Sequence, residues 1–135
     1  MFKYNSKAYI RWRDKIFRRD KFQCQLCDCR GTINAHHIKR KVDFPKLVYE
    51  LTNGITLCEV CHQIITGYEG LFINLFIGIV KKTLQVEFIY QFFSYLTQCQ
   101  PEIVIQFKRQ DKWLKIPNAL IKKIKRTNVK NKKAK

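Results

Sequence analysis

The chain has 135 residues and a mass of 16.2 kDa, which fits one compact domain with an appendage and a single modest core. Lysine and arginine outnumber aspartate and glutamate by 27 to 10, so the net formal charge is +17 and a polyanion is the expected partner. Hydrophobic residues make up 46% of the sequence, a share that excludes a disordered basic chain.

No stretch of the sequence has the length of a membrane span. The longest uncharged apolar run covers residues 70–80, whereas a span needs about 18 residues. The first residues also lack the apolar run of a secretory signal, so we expect an intracellular, reducing location, cytoplasmic or nucleoid-associated. The six cysteines are therefore expected to be reduced and available to a metal.

The first predicted element is a helix that Ser6 caps at its N-terminus. Tyr9, Trp12 and Ile16 share one face of this helix and form its buried stripe. A second face is basic, and it either is simply solvated or contacts DNA. Its members are Lys7, Arg11, Lys15 and Arg18.

Two Cys-x-x-Cys pairs follow this helix, with 30 residues between them. Their members are Cys24, Cys27, Cys58 and Cys61. Tetrahedral zinc accepts two ligands from one tight turn, so this spacing predicts a structural Zn²⁺ site that joins distant segments. Redox motifs and buried small side chains are the alternatives. Cys29 and Cys99 are expected to be ordinary thiols, although Cys29 remains an alternative to Cys27 in the site.

All three histidines of the chain lie between or directly after the cysteine pairs, at His36, His37 and His62. Short strands are predicted over residues 32–38 and 54–57, followed by a helix over residues 59–66. A zinc scaffold would bring the end of this β, β, α unit, with His62, close to the first strand. This concentration favours a functional site over three separate packing histidines.

Taken in order, these motifs resemble those of HNH endonucleases with a structural zinc. They are Arg18-Arg19-Asp20, Cys24-Gln25-Leu26-Cys27, Ala35-His36-His37-Ile38, Asn53-Gly54-Ile55-Thr56-Leu57-Cys58 and Cys61-His62. The resemblance covers roughly residues 9–69 and implies a ββα-metal, treble-clef-like finger. It implies nothing about residues 70–135. The small size and the richness in lysine, isoleucine and asparagine suggest an enzyme of a phage or mobile-element type.

The resemblance also implies a role for each polar residue. His37 is then the general base that takes a proton from water, while His36 and His62 hold a divalent catalytic ion. Asn53 would brace the loop between the strands and so hold His37, although a plain turn asparagine before Gly54 is equally sound.

His36 stands where many members of the family have aspartate, so the implied ion lacks an anionic ligand. Glu59, Asp28 and Glu69 are the carboxylates that are candidates to supply one. Two imidazoles suit Mn²⁺, Ni²⁺, Co²⁺ or Zn²⁺ better than Mg²⁺, and the preference among these ions stays open.

Cations follow directly after His37, where a phosphate backbone would have to pass. Lys39, Arg40, Lys41 and Lys46 are therefore expected to position double-stranded DNA.

The C-terminal half carries no recognisable motif. Residues 71–96 are expected to form helices that supply most of the core, and residues 102–107 a short strand. Pro117 would open a last helix with Leu120, Ile121 and Ile124 facing inward. Residues 122–135 are predicted to be a frayed basic tail that binds phosphates, or a localisation signal, with Lys122, Lys123, Lys125 and Arg126 among its cations.

The sequence thus predicts an α+β fold with an HNH nuclease domain over residues 1–69, a mainly helical extension over 70–121 and the basic tail. The predicted function is a metal-dependent DNA endonuclease without a small-molecule cofactor or a membrane partner. A non-catalytic zinc module that binds nucleic acid is the main alternative, and a basic scaffold for RNA is a third.

Overall fold

A computed structural model of the chain describes the backbone of residues 2–134 and the side chains of residues 2–128. Over that range the protein is an α+β fold, with six α-helices and a two-stranded antiparallel sheet. The elements in chain order are α1 (Lys7–Arg19), β1 (Ile33–His37), β2 (Gly54–Cys58), α2 (Glu59–Ile65), α3 (Glu69–Lys81), α4 (Val86–Cys99), α5 (Pro101–Arg109) and α6 (Lys115–Ala134). None of these helices combines the length and the apolar character that crossing a bilayer requires.

Helix α1 forms as the sequence predicts and packs across the sheet. The hydroxyl of Ser6 accepts a hydrogen bond from the Tyr9 backbone N–H at 3.2 Å, which caps the first turn. The predicted stripe of Tyr9, Trp12 and Ile16 is buried. The Trp12 indole N–H also donates to the Glu50 carbonyl at 2.9 Å, so the helix is fixed to the loop between the strands.

The predicted β, β, α unit is confirmed, with element ends that differ by at most one residue. Strands β1 and β2 pair in a register that sets His36 opposite Ile55 and His37 opposite Gly54. Every residue of β2 is buried, because α1 and α2 both pack against this hairpin. Helix α2 follows β2 without a linker, so the register of the strands fixes where the helix begins.

The apolar stretch after residue 70 forms helices α3 and α4, as expected, but the strand predicted over residues 102–107 is wrong. That segment is α5, which begins at Pro101 and buries Ile103, Val104 and Phe107 on one face. The run of β-branched residues favours a strand locally. Burial of the i, i+1 and i+4 positions in the core outweighs that preference.

The expectation of a frayed tail from residue 122 is also wrong over the described backbone. Helix α6 begins at Lys115, two residues before Pro117, and continues to Ala134. Proline is tolerated there because the first turn of a helix has no intrahelical acceptor for its missing N–H. Leu120 is buried and Ile121 and Ile124 pack against the core, as predicted. Lys135 and the side chains of residues 129–134, which belong to the predicted tail, lie outside the described residues.

A single large core joins the two halves of the chain. It runs from the four cysteines through Phe72 and Phe76 in α3 to Phe107 in α5 and Leu120 in α6. The extension therefore packs on the ββα unit through a continuous apolar cluster, while the α1 stripe forms a smaller cluster on the other side of the sheet.

Gly54 permits the close approach of α1 to the sheet, and this yields a stability prediction. A Cβ at residue 54 would lie 2.5 Å from Trp12 Cζ2 and 2.6 Å from Ile16 Cδ1. We expect Gly54→Ala to lower the free energy of unfolding by about 1–3 kcal/mol, the usual cost of overpacking. The measurement is urea denaturation of both proteins.

Gly70→Ala is the matched control, because no heavy atom lies within 4 Å of a Cβ at that position in the first turn of α3. Its stability should be unchanged or slightly higher. Equal stability of the two variants would contradict the packing of α1 described here.

Candidate functional site

The four predicted cysteines form one cluster. Their Sγ atoms all lie within 4.8 Å of one another, and those of Cys27 and Cys58 are 3.8 Å apart. Zinc–sulfur bonds of about 2.3 Å in a tetrahedron give sulfur–sulfur distances of about 3.8 Å, so the cluster fits a structural zinc ion. Within the described part of the chain, Cys29 is not a member of this group. The cluster thus favours Cys27 over Cys29.

Backbone conformation and hydrogen bonds hold the two cysteine turns in place around the cluster. Asp28 adopts a left-handed conformation (φ 66°), which turns the chain so that its N–H donates to the Cys24 carbonyl at 2.9 Å. The Cys61 N–H points at Cys58 Sγ at 3.4 Å, as the first turn of α2 directs its free N–H groups toward the cluster. The Gln25 N–H donates to the Thr56 carbonyl and ties the first cysteine turn to β2.

A lysine from the far end of the chain completes the surroundings of the cysteines. Lys112, between α5 and α6, donates from Nζ to Cys27 Sγ at 3.1 Å. Burial acts to lower the pKa of Lys112, but the hydrogen bond to Cys27 and the nearby thiolate charges outweigh it and raise that pKa. Sequence reasoning missed this residue, because no spacing rule links a position 85 residues away to the cysteine pairs.

Lys123 of α6, one of the predicted DNA contacts, is engaged within the fold. Its Nζ donates to the Asp28 carboxylate at 2.9 Å and to the Gln25 carbonyl at 2.7 Å. Its charge is paired with that of the Asp28 carboxylate, and contact of Lys123 with DNA stays a prediction. Lys122, Lys125 and Arg126 on the same helix are exposed.

His36 and His62 face each other beside the cysteine cluster. Their ring centroids are 5.5 Å apart, and two imidazoles on one ion at about 2.1 Å place their centroids about 5 Å apart. His36 is only 7% exposed, and its Nε2 is buried with no hydrogen-bond partner among the described residues. A buried nitrogen without a partner fits a ligand atom better than a packing residue.

Burial and, to a smaller extent, the neighbouring His62 lower the pKa of His36 to about 4. The imidazole is therefore neutral near pH 7, the form that binds metals. Within the described residues, the four cysteines are the one group of three or more potential metal ligands whose ligand atoms already lie close together. No third ligand atom is therefore gathered with those of His36 and His62 in that part of the chain.

Glu69, at the start of α3, lines the same cavity of about 580 Å³ as the three histidines. Burial acts to raise the pKa of its carboxyl, but backbone N–H groups at Gly67 and Glu69 and the nearby His36 and His62 outweigh it and lower that pKa.

The other carboxylates considered from the sequence do not line this cavity: Asp28 pairs with Lys123, and Glu59 is exposed. Glu69 is thus the one of the three that faces the histidines.

His37 points to the opposite side of β1 from His36, because successive strand residues alternate between faces. Its ring stacks on Trp12, with centroids 4.2 Å apart and planes 9° from parallel. Its Nε2 lies 3.0 Å from the Val48 carbonyl, which only accepts hydrogen bonds, so Nε2 carries the proton and Nδ1 has the free lone pair. Burial lowers the pKa of His37, the Val48 bond opposes this, and the charge of Lys41 adds to the lowering.

Asn53 braces the loop that follows His37. Its Oδ1 accepts from the Lys39 backbone N–H at 2.8 Å, and its Nδ2 donates to the carbonyls of Lys39 and Leu47 at 3.2 Å each. Asn53 is 4% exposed, and all three bonds go to backbone atoms. Its side chain thus ties both ends of residues 39–47 together. That this loop in turn holds His37 stays a prediction of the resemblance.

The structure divides the predicted DNA-contacting cations into those near the histidines and those elsewhere. Arg40 and Lys41 line the histidine cavity, and the Lys41 ammonium also lies over the rings of Phe2 and Tyr4 at 4.3 and 4.4 Å. Lys39 lies over the Phe44 ring. The exposed cations of α1 (Arg11, Lys15 and Arg18) do not line the cavity.

No protein-family model matches the chain, and no curated protein sequence or solved structure matches it significantly. The interpretation of the site therefore rests on its own geometry and on the order of its motifs.

Removal of zinc is expected to unfold the ββα unit. Apparent zinc-binding free energies of about 10–16 kcal/mol in small zinc domains exceed the stability that such a segment has alone. Cys58→Ser should lose the one zinc per chain and its folded circular dichroism spectrum. Cys29→Ser, which alters a neighbouring thiol outside the cluster, should keep both. An elemental analysis that finds no zinc in the wild-type protein, or a Cys58→Ser protein that stays folded, would contradict this prediction.

Lys112→Met is expected to speed zinc release, since it removes the ammonium bonded to Cys27 but keeps an apolar stem of similar length. Loss of a residue that supports a metal ligand typically costs about 10–100-fold in metal affinity. Zinc transfer to a metallochromic chelator measures the effect. Lys108→Met, at an exposed position of α5, is the matched control and should release zinc at the wild-type rate.

Proposed function

We propose that the chain is a metal-dependent DNA endonuclease of the HNH type, built on a treble-clef-like ββα-metal finger with a structural zinc. The observation that carries this proposal is the environment of three histidines on one ββα unit. The rings of His36 and His62 lie 5.5 Å apart and His36 Nε2 is buried without a partner, while the neighbouring His37 has a fixed ring and a free Nδ1.

His37 is the general base of the proposed reaction. The Val48 carbonyl keeps the proton on Nε2, so Nδ1 accepts the proton of the attacking water. The Trp12 ring restricts the rotation of the imidazole, and the small loop fixed by Asn53 keeps the Val48 segment in place. Asn53 is accordingly a positioning residue, since its amide bonds to backbone atoms only.

His36 and His62 would hold the catalytic divalent ion, with the Glu69 carboxylate on the same cavity to offset its charge. When bound, such an ion polarises the scissile phosphate and neutralises charge on the leaving 3′-oxygen. Two neutral imidazoles favour Mn²⁺, Ni²⁺, Co²⁺ or Zn²⁺ over Mg²⁺. Cleavage of the bond between the phosphorus and the 3′-oxygen leaves a 5′-phosphate and a 3′-hydroxyl.

The charge distribution supports double-stranded DNA as the substrate. Arg40 and Lys41 line the cavity where the scissile phosphate would lie. Much of the remaining net charge is spread over exposed side chains of α1 and α6, which suits contact with a long polyanion more than binding of a small anion.

The test is plasmid cleavage by the wild-type protein and by His37→Ala, across a panel of divalent ions. The His37→Ala protein keeps both metal-binding histidines and the cysteine cluster, so it should fold, hold its zinc and bind DNA. Its cleavage rate should fall by roughly 10²–10⁴-fold, the contribution of a positioned base.

His62→Ala is the comparison variant, because it removes an ion ligand and leaves the base intact. Its activity should return in part when the concentration of Mn²⁺ is raised, whereas that of His37→Ala should not. Equal rates for wild type and His37→Ala would remove His37 from the mechanism. Wild-type DNA binding without cleavage under any divalent ion would instead favour the non-catalytic zinc module.

A further inference from the structure

A second cavity, of about 190 Å³, lies at the far end of α3 from the histidines. It is walled by the end of α1, the first cysteine turn, the end of α3 and the middle of α6. Its floor is apolar, with Ile79, Leu84 and Ile124, and its rim is strongly basic. Neither the cysteine cluster nor the histidine site uses this cavity.

The rim keeps a positive charge after its internal ion pairs are counted. Five cations line the cavity: Arg19, Lys21, Lys82, Lys123 and Arg126. Arg19 pairs with Asp20 at 2.9 Å and Lys123 with Asp28 at 2.9 Å, so both of the acidic residues on the rim are engaged.

Lys21, Lys82 and Arg126 form no ion pair with any described residue, and all three are exposed. Helices α1 and α3 both end at this cavity, and each helix C-terminus contributes about −0.5 charge. Together with the three unpaired cations, this leaves a net charge of about +2. The cavity therefore suits an anion.

Two of these lysines stand in backbone conformations that favour glycine. Lys21 has φ 56° and Lys82, the C-cap of α3, has φ 58°. A long cationic side chain therefore extends from each of two tight turns, one on either side of the cavity. Together with Arg126 from α6, they surround the opening from three separate elements.

We propose that this cavity binds a backbone phosphate of duplex DNA, away from the scissile bond; the proposal rests on the function proposed above. Helix α3 connects the two sites, with Glu69 at the histidine cavity and Lys82 at this one. Thirteen residues at 1.5 Å each separate them by about 20 Å. At 3.4 Å per base pair, this corresponds to about six base pairs of DNA. The apolar floor would contact the deoxyribose beside that phosphate.

The experiment compares the double variant Lys82→Gln/Arg126→Gln with wild type in binding a 20-base-pair duplex, with no divalent ion added, over a range of salt concentrations. Loss of this one phosphate contact should reduce the slope of log K against log salt by about 0.9. Near 0.1 M salt, the affinity should fall by about 5- to 10-fold. Zinc content and circular dichroism should match those of the wild type.

The matched control is Lys108→Gln/Arg109→Gln, which removes one lysine and one arginine from exposed positions of α5 that line neither cavity. Its slope should stay at the wild-type value. An equal loss of slope in both double variants would show a general charge effect and overturn the proposal. Lys21→Gln is a further single variant, and it should weaken DNA binding by a smaller factor than the double variant does.

Titration of the wild type with inorganic phosphate separates DNA from a free phosphorylated ligand. Saturable phosphate binding that Lys82→Gln/Arg126→Gln abolishes, with unchanged DNA affinity, would assign the cavity to a small ligand and overturn the proposal. DNA binding and cleavage by wild type with no effect of the double variant would overturn this inference alone. Absence of any DNA binding by the wild type would overturn the proposed function itself.

Discussion

The gathering of four cysteine sulfurs within 4.8 Å is the constraint on which the rest of the structure depends. Sulfurs at that separation fit the ligand positions of a tetrahedral zinc ion, whose positive charge would offset the repulsion between thiolates. The cluster holds the turn after α1 against the start of α2, and it lies at one end of the apolar core that runs through the C-terminal helices. Lys112 and Lys123 extend the same constraint to residues far along the chain. The four-cysteine cluster thus adds to the apolar core in holding the ββα unit together.

Strand pleating gives two adjacent histidines different chemistry. Because successive side chains point to opposite faces, β1 directs His36 toward α2 and His37 toward α1. The first face is deeply buried and leaves a nitrogen without a partner, which suits a metal ligand. The second face offers Trp12 and the Val48 carbonyl, which fix the tautomer that a base needs. A shift of one residue in the β1–β2 register would exchange the two environments, so the register is itself part of the proposed site.

The large positive charge is not evenly available to a partner. Some cations are engaged within the fold, as Lys123 is with Asp28 and Arg19 is with Asp20 and two backbone carbonyls of the hairpin. Others surround the two cavities at opposite ends of α3, and the proposed path of a phosphate backbone rests on this arrangement.

The sequence by itself determined the elements that local chemistry specifies: the Ser6 cap, the α1 stripe, the order β, β, α and the four cysteines, each of which follows from short-range spacing. It also indicated the three histidines and Asn53 as candidate site residues, although their proposed roles stay untested predictions. Only the tertiary structure decided that residues 102–107 are helical, because core burial there outweighs the β preference of Ile103 and Val104. The same holds for the choice of Glu69 as the carboxylate that faces the histidines, for Lys112 beside Cys27 and for the internal pairing of Lys123. These contacts join residues that are distant in sequence, and their partners are set by how whole helices pack, which no local pattern encodes.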